Sequence, residues 1–385
     1  MSAGGPDRGT SPSSGAGQGV AYAAHAAGHG PVGAQAPIRA PGSVGASGEG
    51  VDVLIVSLAA TAGLRAADSE LVDSLRHAGA CVALAAAARP RPLRTLALTD
   101  LAWALAARRA ALAGLVEHAP RAIVYSSTTA ALLWPRPGAI RFDAPSAGNR
   151  PGRHGLWQRP LERRRLSRAP LLLPWSDGGL DEVPASTRAG NRALVLPVPV
   201  EPSGPPAPVR DIAAIAYAAN PLKKGLDRVL CAWTRVRRPD EQLYVAGASL
   251  AELARAGISL PSAGVIITGP LAPLDYRALL RRARVFVCAP RREDYGLAQL
   301  EALADGCLLV TTPAPGPYAA LPLARALDPR LVADDLGASL RTALDDPAPD
   351  HPARAASALS AFTRPTTDRI VSAELLPRLL SHSAR

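Results

Sequence analysis

The sequence predicts an α/β protein made of two consecutive doubly wound domains, each with a mostly parallel sheet between layers of helices. Three observations support this prediction. The chain has 385 residues, which is too long for one ordinary hydrophobic core. Apolar runs typical of buried strands alternate with helical patterns in two separate series. A proline-rich stretch at residues 197–208 lies between the two series, as an interdomain linker would.

The first series begins with a buried strand at Val51–Ser57, a loop at Leu58–Leu64 and a helix that continues to Ala78. This β-loop-α order, followed by another apolar strand, predicts a right-handed crossover and parallel pairing. The remaining predicted elements of this series are a strand at Cys81–Ala86, a long alanine-rich helix at Leu101–Glu117, and strands at Ala122–Ser126, Leu171–Pro174 and Ala193–Pro197.

Two stretches of the first half differ from this pattern. Residues 1–49 are rich in Gly, Ala, Ser and Pro and have no hydrophobic period, so we interpret them as a disordered low-complexity tail. Residues 135–170 are rich in Pro, Gly and Arg, and we expect them to lie at the edge of a cleft beside the first domain.

The second series repeats the alternation of strands and helices. Its predicted strands are Ile212–Tyr217, Gln242–Ala246, Val265–Thr268, Arg284–Ala289 and Cys307–Thr312, and its predicted helices are Gly225–Val236, Leu274–Arg282 and Leu297–Asp305. The resulting domain boundaries are 1–49 for the tail, 50–200 for the first domain and 201–364 for the second. A last helix within residues 365–385 is expected to pack back on the first domain.

The net charge of +11 comes almost entirely from arginine: of 43 Lys+Arg residues only Lys223 and Lys224 are lysines. The arginines are scattered and are not interleaved with aromatic residues, so no nucleic-acid partner is expected. The short basic run Arg163–Arg165, with Trp157 nearby, suits an anionic acceptor or anionic lipid headgroups, although a solvated helix face is the more common explanation of such a run.

The sequence has no run of about 20 apolar residues, so no transmembrane helix is predicted. Its N-terminal stretch also lacks the pattern of a signal peptide. These observations predict a cytoplasmic protein, with peripheral contact at the inner face of an anionic membrane. The four cysteines lie in apolar runs without metal-ligand spacing, which predicts buried thiols in a reducing compartment.

The most informative segment is Cys288–Gly306, in which Glu293 and Glu301 are separated by seven residues. It follows a predicted strand and contains a loop and then a helix, so Glu293 lies in the loop and Glu301 about one turn into the helix. In an open α/β sheet this loop lies at the carboxyl edge, where ligands bind. Carboxylates there are acceptors suited to vicinal hydroxyl groups.

This segment resembles the signature of family 4 glycosyltransferases, which have the GT-B fold of two Rossmann-like domains facing a cleft. That signature reads Pro-Ser-x-x-Glu-Gly-Phe-Gly-Leu and then x-x-Leu-Glu-Ala-hydrophobic-Ala-x-Gly, and Ala289–Gly306 follows it closely. The resemblance extends upstream through a Lys-Gly turn in Tyr217–Asp227, a strand and glycine in Leu243–Gly247, and Thr268-Gly269 ahead of Tyr276. The first half matches only loosely, around Gly63–Asp68.

The resemblance implies transfer of a sugar from a nucleotide-sugar donor, with retention at the anomeric carbon. By analogy, Glu301 would accept hydrogen bonds from the ribose hydroxyls and Glu293 would hold the donor sugar. The backbone amides of Tyr295, Gly296 and Leu297 would face the diphosphate and the sugar. A glycine allows close approach of a ligand, and a helix N-terminus offers free N–H groups to a phosphate.

The charge of a departing nucleoside diphosphate requires cations. The chain has no Asp-x-Asp motif, so no metal and no other cofactor is expected, and the lysines would supply the charge. Lys224, next to Gly225 at a helix start, matches the family position and Lys223 lies beside it. The family usually has an arginine about five residues earlier, where this chain has Ala219. Either Lys223 substitutes for that arginine or the diphosphate is held more weakly.

The acceptor side is expected to involve Gly63, in the first loop, and polar residues of the Pro/Gly/Arg-rich segment: Asp143, Asn149, Arg150 and His154. His154 could equally be an ordinary loop histidine. The sequence therefore predicts a retaining glycosyltransferase (EC 2.4 class) acting on a glycan, a lipid-linked or a small-molecule acceptor. The alternative is a non-catalytic paralogue of the same fold, a nucleotide-sugar-binding structural or regulatory subunit, which the missing arginine would favour.

Overall fold

A computed structural model describes residues 50–91, 93, 95–150, 152–188, 190, 192–205 and 207–381. The predicted tail at residues 1–49 lies outside these residues. The described chain contains two five-stranded sheets in which every pairing is parallel. We call the first sheet and its helices the first lobe, and the second sheet and its helices the second lobe.

The first sheet consists of β1 (Val53–Ser57), β2 (Val82–Ala86), β3 (Ala122–Tyr125), β4 (Ala139–Phe142) and β5 (Leu172–Pro174), in the order β2-β1-β3-β4-β5. The second consists of β6 (Ile212–Tyr217), β7 (Leu243–Ala246), β8 (Val265–Gly269), β9 (Ala283–Cys288) and β10 (Leu308–Thr311), in the order β10-β9-β6-β7-β8. Both orders reverse direction once, as in doubly wound folds. The predicted fold class is confirmed.

The helices cover both faces of each sheet. In the first lobe they are α1 (Ala62–His77), α2 (Leu96–His118), α3 (Thr128–Ala131), α4 (Gln158–Arg168), α5 (Asp177–Asp181) and α6 (Ala185–Arg188). The next are α7 (Leu226–Val236), α8 (Leu250–Arg255), α9 (Pro273–Arg282), α10 (Leu297–Ala304), α11 (Ala320–Leu327), α12 (Leu336–Asp345) and α13 (His351–Ala358). The chain then passes through α14 (Arg364–Ile370), a π-helical turn (Val371–Leu375) and α15 (Leu376–Ser381), and short 3₁₀ turns lie at Ser146–Asn149, Gly152–Gly155, Pro329–Leu331 and Leu359–Phe362.

These elements follow from local sequence chemistry. All five residues of β1 are buried, as expected for a central parallel strand with helices on both faces. Helix α1 begins after Thr61, whose hydroxyl oxygen accepts a hydrogen bond from the amide of Leu64. Helix α10 ends at Asp305, and Gly306 adopts the left-handed conformation predicted for it, with φ 82°.

The first lobe differs from the sequence prediction at two places. Residues 135–170 contain two elements that were not predicted, since Ala139–Phe142 forms β4 and Gln158–Arg168 forms α4. The four residues of β4 are fully buried, which was obscured by the surrounding Pro, Gly and Arg. Ala193–Pro197 is not a regular strand. Ala193 forms a bridge with Leu172, and the amides of Leu194 and Leu196 donate to the carbonyl oxygens of Leu172 and Pro174, but Pro174 and Pro197 have no amide hydrogen with which to complete a ladder.

Two of the four thiols also differ from the prediction. Cys288 and Cys307 are buried as predicted, but Cys81 and Cys231 are exposed. Cys81 lies immediately before β2, which is an edge strand of the first sheet, and Cys231 lies on the outer face of α7. Among the described residues no helix is long and apolar enough to cross a membrane.

The lobes meet through side chains from both sheets and through the segment between them. The Trp175 ring, just after β5, lies edge-on to the Tyr295 ring with centroids 5.2 Å apart. The Tyr295 hydroxyl oxygen accepts a hydrogen bond from the amide of Val198 at 3.1 Å. At the far end of the chain, Val371, Leu375 and Leu379 pack in the same core cluster as β1 of the first lobe.

The strand order determines where a site can form. In the second sheet the direction of winding reverses between β6 and β9, which are hydrogen-bonded neighbours. The loops that leave the carboxyl ends of these two strands therefore begin side by side. Ligands of doubly wound folds bind at this point, and it carries the two segments that the sequence singled out.

Candidate functional site

Gly225 lies where the loop after β6 contacts the loop after β9 in the second lobe. It caps α7 with φ 67°, and a β-carbon at this position would lie 1.8 Å from the carbonyl oxygen of Ala289, at the end of β9. No side chain larger than hydrogen fits there. The amide of Arg291 also donates to the carbonyl oxygen of Lys223 at 2.9 Å. These contacts hold the lysine loop against the glutamate loop.

Lys224 and Glu293 form an ion pair across this junction. The Lys224 Nζ atom donates to Glu293 Oε2 at 2.7 Å, and Gln299 Nε2 donates to the same oxygen at 3.0 Å. Glu293 is 4% exposed and Gln299 1% exposed, so both side chains are held within packed surroundings. The carboxylate that the sequence predicted as a sugar ligand is thus oriented by a lysine from the loop after β6 and a glutamine from α10.

Lys223 takes part in a second cluster that bridges the lobes. Its Nζ atom donates to the carboxylate of Asp294 and, at 3.1 Å, to Oδ1 of Asn149 in the first lobe. Burial acts to raise the pKa of Asp294, but the charge and hydrogen bond of Lys223, together with Asn149 and Arg292, outweigh it and hold that pKa below its ordinary value. Lys223 is therefore already neutralised by an acid that occupies the position of a glycine in the family signature.

The N-terminus of α10 provides unpaired donors next to these clusters. Gly296 precedes the helix with φ 89°, and a β-carbon there would lie 2.8 Å from the Tyr318 ring. Within the described part of the chain, the amides of Tyr295, Gly296 and Leu297 have no hydrogen-bond acceptor. Free amides at a helix start are suited to a phosphate.

Glu301 faces a separate cavity of about 260 Å³ between the lobes. The cavity is lined by α1, α9, α10 and the segment Val198–Ser203, and also by Arg364. The guanidinium of Arg277 lies 3.8 Å from Glu301 Oε1, and it also binds Asp305 at 2.6 Å. Burial raises the pKa of Glu301 to about 7, with Arg277 opposing the shift and Asp305 adding to it.

The first lobe contributes Gly63 and Asp143 to the cleft. A β-carbon on Gly63 would lie 3.6 Å from the Leu297 side chain, so the start of α1 faces the start of α10. Asp143 follows β4, and burial, with the nearby charge of Asp294, raises its pKa to about 6. Arg150 turns away from the cleft, because its guanidinium binds Asp100 on α2 at 2.6 and 2.9 Å. His154 lies in the turn Gly152–Gly155, but its side chain is not among those described.

Ala219 is exposed in the loop after β6, so no cation occupies the position of the family arginine. The Tyr217 hydroxyl lies in the same region. Burial raises its pKa, while the charges of Lys224 and Arg65 lower it and that of Glu301 raises it. Arg65 is an exposed residue in the first turn of α1, with Nη1 donating to the carbonyl oxygen of Ala59 at 3.0 Å. A guanidinium from the first lobe therefore acts on the same hydroxyl as Lys224.

A further ion pair joins the two lobes next to the Lys223 cluster. The Arg292 Nη2 atom donates to both carboxylate oxygens of Glu182 in the first lobe at 2.7 Å, and Arg292 Nε donates to Asp294 at 3.0 Å. Packing is close at this point, since a β-carbon on Gly148 would lie 2.4 Å from the Arg292 guanidinium.

Sequence reasoning missed several residues of these clusters: Arg65, Glu182, Arg277, Arg292, Asp294 and Gln299. Two of these residues could have been identified from the sequence. Asp294 departs from the glycine of the signature, and Gln299 is a polar residue on the apolar side of α10. The other four depend on contacts between distant parts of the chain. Among the described residues no group of three or more His, Cys, Asp or Glu side chains could hold a metal ion.

Comparisons with known proteins agree with the fold. Residues 210–345 match a family model described as glycosyl transferases group 1. A comparison with curated protein sequences gave no significant match.

Three solved structures resemble the whole described fold. The sucrose-phosphate synthase of Thermosynechococcus elongatus has a TM-score of 0.61 and 14% identity, with 87% of this chain and 100% of that chain covered. Anabaena HepE in complex with UDP and glucose has a TM-score of 0.60 and 14% identity, covering 84% and 99%. The trehalose 6-phosphate synthase of Burkholderia multivorans has a TM-score of 0.59 and 13% identity, covering 87% and 99%.

These matches cover both lobes with a shared arrangement of two parallel sheets. The family model covers the part of the chain that contains β6 to β10, both lysines and both glutamates. The chain therefore has the GT-B fold, and residues 210–345 of its second lobe match the group 1 glycosyltransferase model.

Proposed function

We propose that this protein is a retaining glycosyltransferase that moves a sugar from a nucleotide-sugar donor to an acceptor hydroxyl. The observation that carries the proposal is the meeting of Lys224, Glu293 and the free amides of α10 at the switch point of the second sheet. Two adjoining loops thus provide a positively charged ammonium group, a carboxylate that accepts hydrogen bonds from hydroxyl groups, and backbone amides suited to a phosphate. The Glu301 cavity lies next to it and is of a size to take a nucleoside.

In this reaction the bond between the anomeric carbon and the diphosphate oxygen breaks, and the acceptor oxygen forms the new bond. The charge that develops on the diphosphate is stabilised by Lys224 and by the amides of Tyr295, Gly296 and Leu297. Glu293 holds hydroxyls of the donor sugar, and Glu301 accepts hydrogen bonds from the ribose. The proton of the acceptor hydroxyl passes to the departing diphosphate.

We propose that Arg65 supplies the second positive charge that Ala219 lacks. It lies on the first turn of α1, opposite α10, and its charge reaches the same hydroxyl as that of Lys224. Lys223 is a poorer substitute, because Asp294 and Asn149 already bind its ammonium group. With two cations in place the transfer is metal-independent, so EDTA should leave turnover unchanged.

The acceptor would enter between Asp143 and the donor sugar. Asp143 is half-buried in the first lobe, and its pKa is raised to about 6. Its carboxyl group is therefore mostly ionised at neutral pH and accepts hydrogen bonds. A glycan, a lipid-linked sugar or a small sugar fits this chemistry. HepE has been solved with UDP and glucose, which makes UDP-glucose the first donor to test.

The deciding experiment measures nucleotide release from UDP-, GDP- and ADP-sugars with a panel of acceptors, for wild type and for Glu293→Gln, Lys224→Met and Arg65→Gln. We expect one donor to be turned over and each substitution to lower kcat by about 10²-fold or more. Arg282→Gln is the matched control, since this exposed arginine binds Asp211, which precedes β6 at the opposite edge of the second sheet.

A non-catalytic nucleotide-sugar-binding subunit would give a different result. It would bind UDP in calorimetry, but no donor and acceptor in the panel would be consumed. Binding without turnover, with Glu293→Gln binding as tightly as wild type, would refute the proposed transfer.

A further inference from the structure

Helix α2 of the first lobe carries an apolar face that the described residues leave uncovered. Leu98, Leu105, Leu112 and Val116 recur at helical spacing, and each is between 41% and 87% exposed. At a rise of about 1.5 Å per residue they form a stripe of roughly 27 Å along the helix. The opposite face, with Ala104, Ala107, Ala111 and Gly114, is the one that packs on the sheet.

This pattern differs from that of an ordinary surface helix. A helix that covers a core on one side normally carries polar residues on the other. The outer stripe of α2 has only Arg109 among its apolar residues, and α2 has just two acids, of which Asp100 is buried against Arg150. Contiguous exposed apolar surface of this kind marks a site of interaction.

The apolar stripe, which we call the α2 stripe (Leu98, Leu105, Leu112 and Val116), borders a basic region. Arg108 on α2 and Arg165 on α4 donate to the adjacent carbonyl oxygens of Leu133 and Leu132, at 3.0 and 2.8 Å. The exposed Arg163, Arg164 and Arg168 continue this region along α4. The α2 stripe therefore lies next to a cluster of guanidinium groups.

The distribution of charge along the chain also indicates an anionic partner for the first lobe. Residues 50–200 contain 19 arginines and 11 acidic residues, a net charge of +8 out of +11 for the whole sequence. The excess positive charge is thus concentrated in the lobe that carries the α2 stripe. Apolar side chains flanked by arginines fit the boundary between acyl chains and anionic headgroups.

We propose that the α2 stripe and the adjoining arginines of α4 dock the first lobe on an anionic lipid surface. The leucines and Val116 enter the headgroup boundary, and Arg108, Arg109, Arg163, Arg164 and Arg168 contact lipid phosphates. The segment after β4 links this surface to the cleft, because Asn149 binds Lys223 while its neighbour Arg150 binds Asp100 on α2. Docking therefore places the cleft close to the lipid surface.

The test is co-sedimentation of the full chain with vesicles of phosphatidylglycerol and phosphatidylcholine, compared with vesicles of phosphatidylcholine alone. Wild type should bind the anionic vesicles, and raised ionic strength should weaken binding. Arg163→Gln and Arg164→Gln should each weaken binding by about fivefold. Leu105→Gln with Leu112→Gln should weaken it by at least as much.

The matched control is Leu250→Gln with Leu274→Gln, which replaces two leucines of the second lobe that are exposed to at least the same extent. This control should bind as wild type does, and all variants should keep the wild-type Tm because the changed side chains are exposed. Val116→Gln is the second test of the stripe if the double variant does not fold, since Val116 is the most exposed of its members.

Several results would overturn the proposal. One is no binding of wild type to anionic vesicles, and another is equal binding to vesicles without phosphatidylglycerol. If wild type instead dimerises and Leu105→Gln with Leu112→Gln makes it monomeric, the α2 stripe belongs to a second copy of the chain. A salt-sensitive shift with RNA or DNA but not with vesicles would assign the arginines to a nucleic acid. Cross-linking of residues 1–49 to α2, without vesicle binding, would assign the stripe to that segment.

Discussion

Lys224 and Glu293 share one hydrogen bond at a point where the carboxylate is almost fully buried and the ammonium group is partly so. Removing one partner of such a pair leaves the other without its counter-charge. The pair therefore contributes to folding as well as to the proposed chemistry, and single substitutions change both. A double substitution separates the two contributions.

Lys224→Met should lower the free energy of unfolding by about 2–3 kcal/mol, because the Glu293 carboxylate loses its counter-charge. Lys224→Met combined with Glu293→Gln should recover most of this loss, since no charge then remains buried, yet it should stay inactive. Denaturant titration and the turnover assay measure the two quantities. If the double variant were no more stable than Lys224→Met, the ion pair would not be the reason for the loss.

Glu301 gives the proposed nucleotide site a pH dependence. Its pKa is raised to about 7, so the carboxyl group is mostly neutral at pH 6 and mostly ionised at pH 8. Since the ionised form is the better acceptor for ribose hydroxyls, UDP affinity should rise roughly tenfold from pH 6 to pH 8. Calorimetry at several pH values measures this rise. Glu301→Gln should remove the part of the rise due to this group, and an unchanged profile would contradict the role of Glu301.

The same raised pKa affects folding in the opposite direction. The pKa of Glu301 in the folded chain lies above that of an unfolded glutamate. Its contribution to stability is therefore fully present below the unfolded pKa, at about 4.3, and is lost as the pH rises toward 7. The pH range that favours the proposed binding is thus one in which this group weakens the fold.

At the scale of elements, the second lobe was predicted closely from the sequence and the first lobe less so. Strands such as β9, with an uninterrupted apolar run between turn residues, are recognisable because hydrophobic periodicity alone defines them. Strand β4 contains Arg141, which is buried beside Asp68 and over the Trp175 ring at 4.9 Å. A buried arginine can be predicted only when its partners are known. Here the partners are Asp68 of α1 and Trp175, which follows β5.

The same reasoning explains which parts of the candidate site could be predicted. Glu293, Glu301, Lys224 and Gly225 lie in two short segments whose residue order is itself the signal. Glu182 and Arg277 reach the clusters from separate elements, so their positions follow from packing and not from spacing. Asn149 and Lys223 were candidates from the sequence, but their contact with each other and the pairing of Lys223 with Asp294 were not predictable from it.

The junction at Gly225 gives an element-scale prediction. Gly225→Ala should lower the free energy of unfolding by more than about 2 kcal/mol, because its β-carbon would overlap the Ala289 carbonyl oxygen and the backbone is left-handed. Gly257→Ala is the matched control, with φ 70° and no atom within 4 Å of the added carbon, and should cost only about 1 kcal/mol. Equal losses in thermal unfolding would mean that the contact with Ala289 has no effect.

At the scale of the whole molecule, the lobes are joined both by polar contacts and by aromatic packing. Arg292 with Glu182 and Lys223 with Asn149 form the polar contacts. Trp175 with Tyr295 forms the aromatic contact. Apolar packing tolerates salt, whereas ion pairs near solvent weaken as salt rises. The polar contacts are therefore the ones expected to break first.

Arg292→Ala should open the cleft without unfolding either lobe. We expect a larger radius of gyration in small-angle X-ray scattering and a turnover lower by about tenfold, because donor and acceptor are no longer held together. Arg282→Ala is the control, since its ion pair with Asp211 lies within the second lobe. An unchanged radius of gyration together with wild-type turnover would show that the Arg292 ion pair does not hold the lobes closed.

The packing of the last helices on β1 has a consequence for synthesis. Val371, Leu375 and Leu379 belong to the same core cluster as Val53 and Ile55. A ribosome makes the chain from its N-terminus, so more than 300 residues must be added after β1 before its hydrophobic surface is complete. During that time the second lobe can fold, but the first lobe exposes the apolar surface that the last helices will cover. The lobe that is made first is therefore finished last, and in the growing chain it is the one that most needs protection by a chaperone.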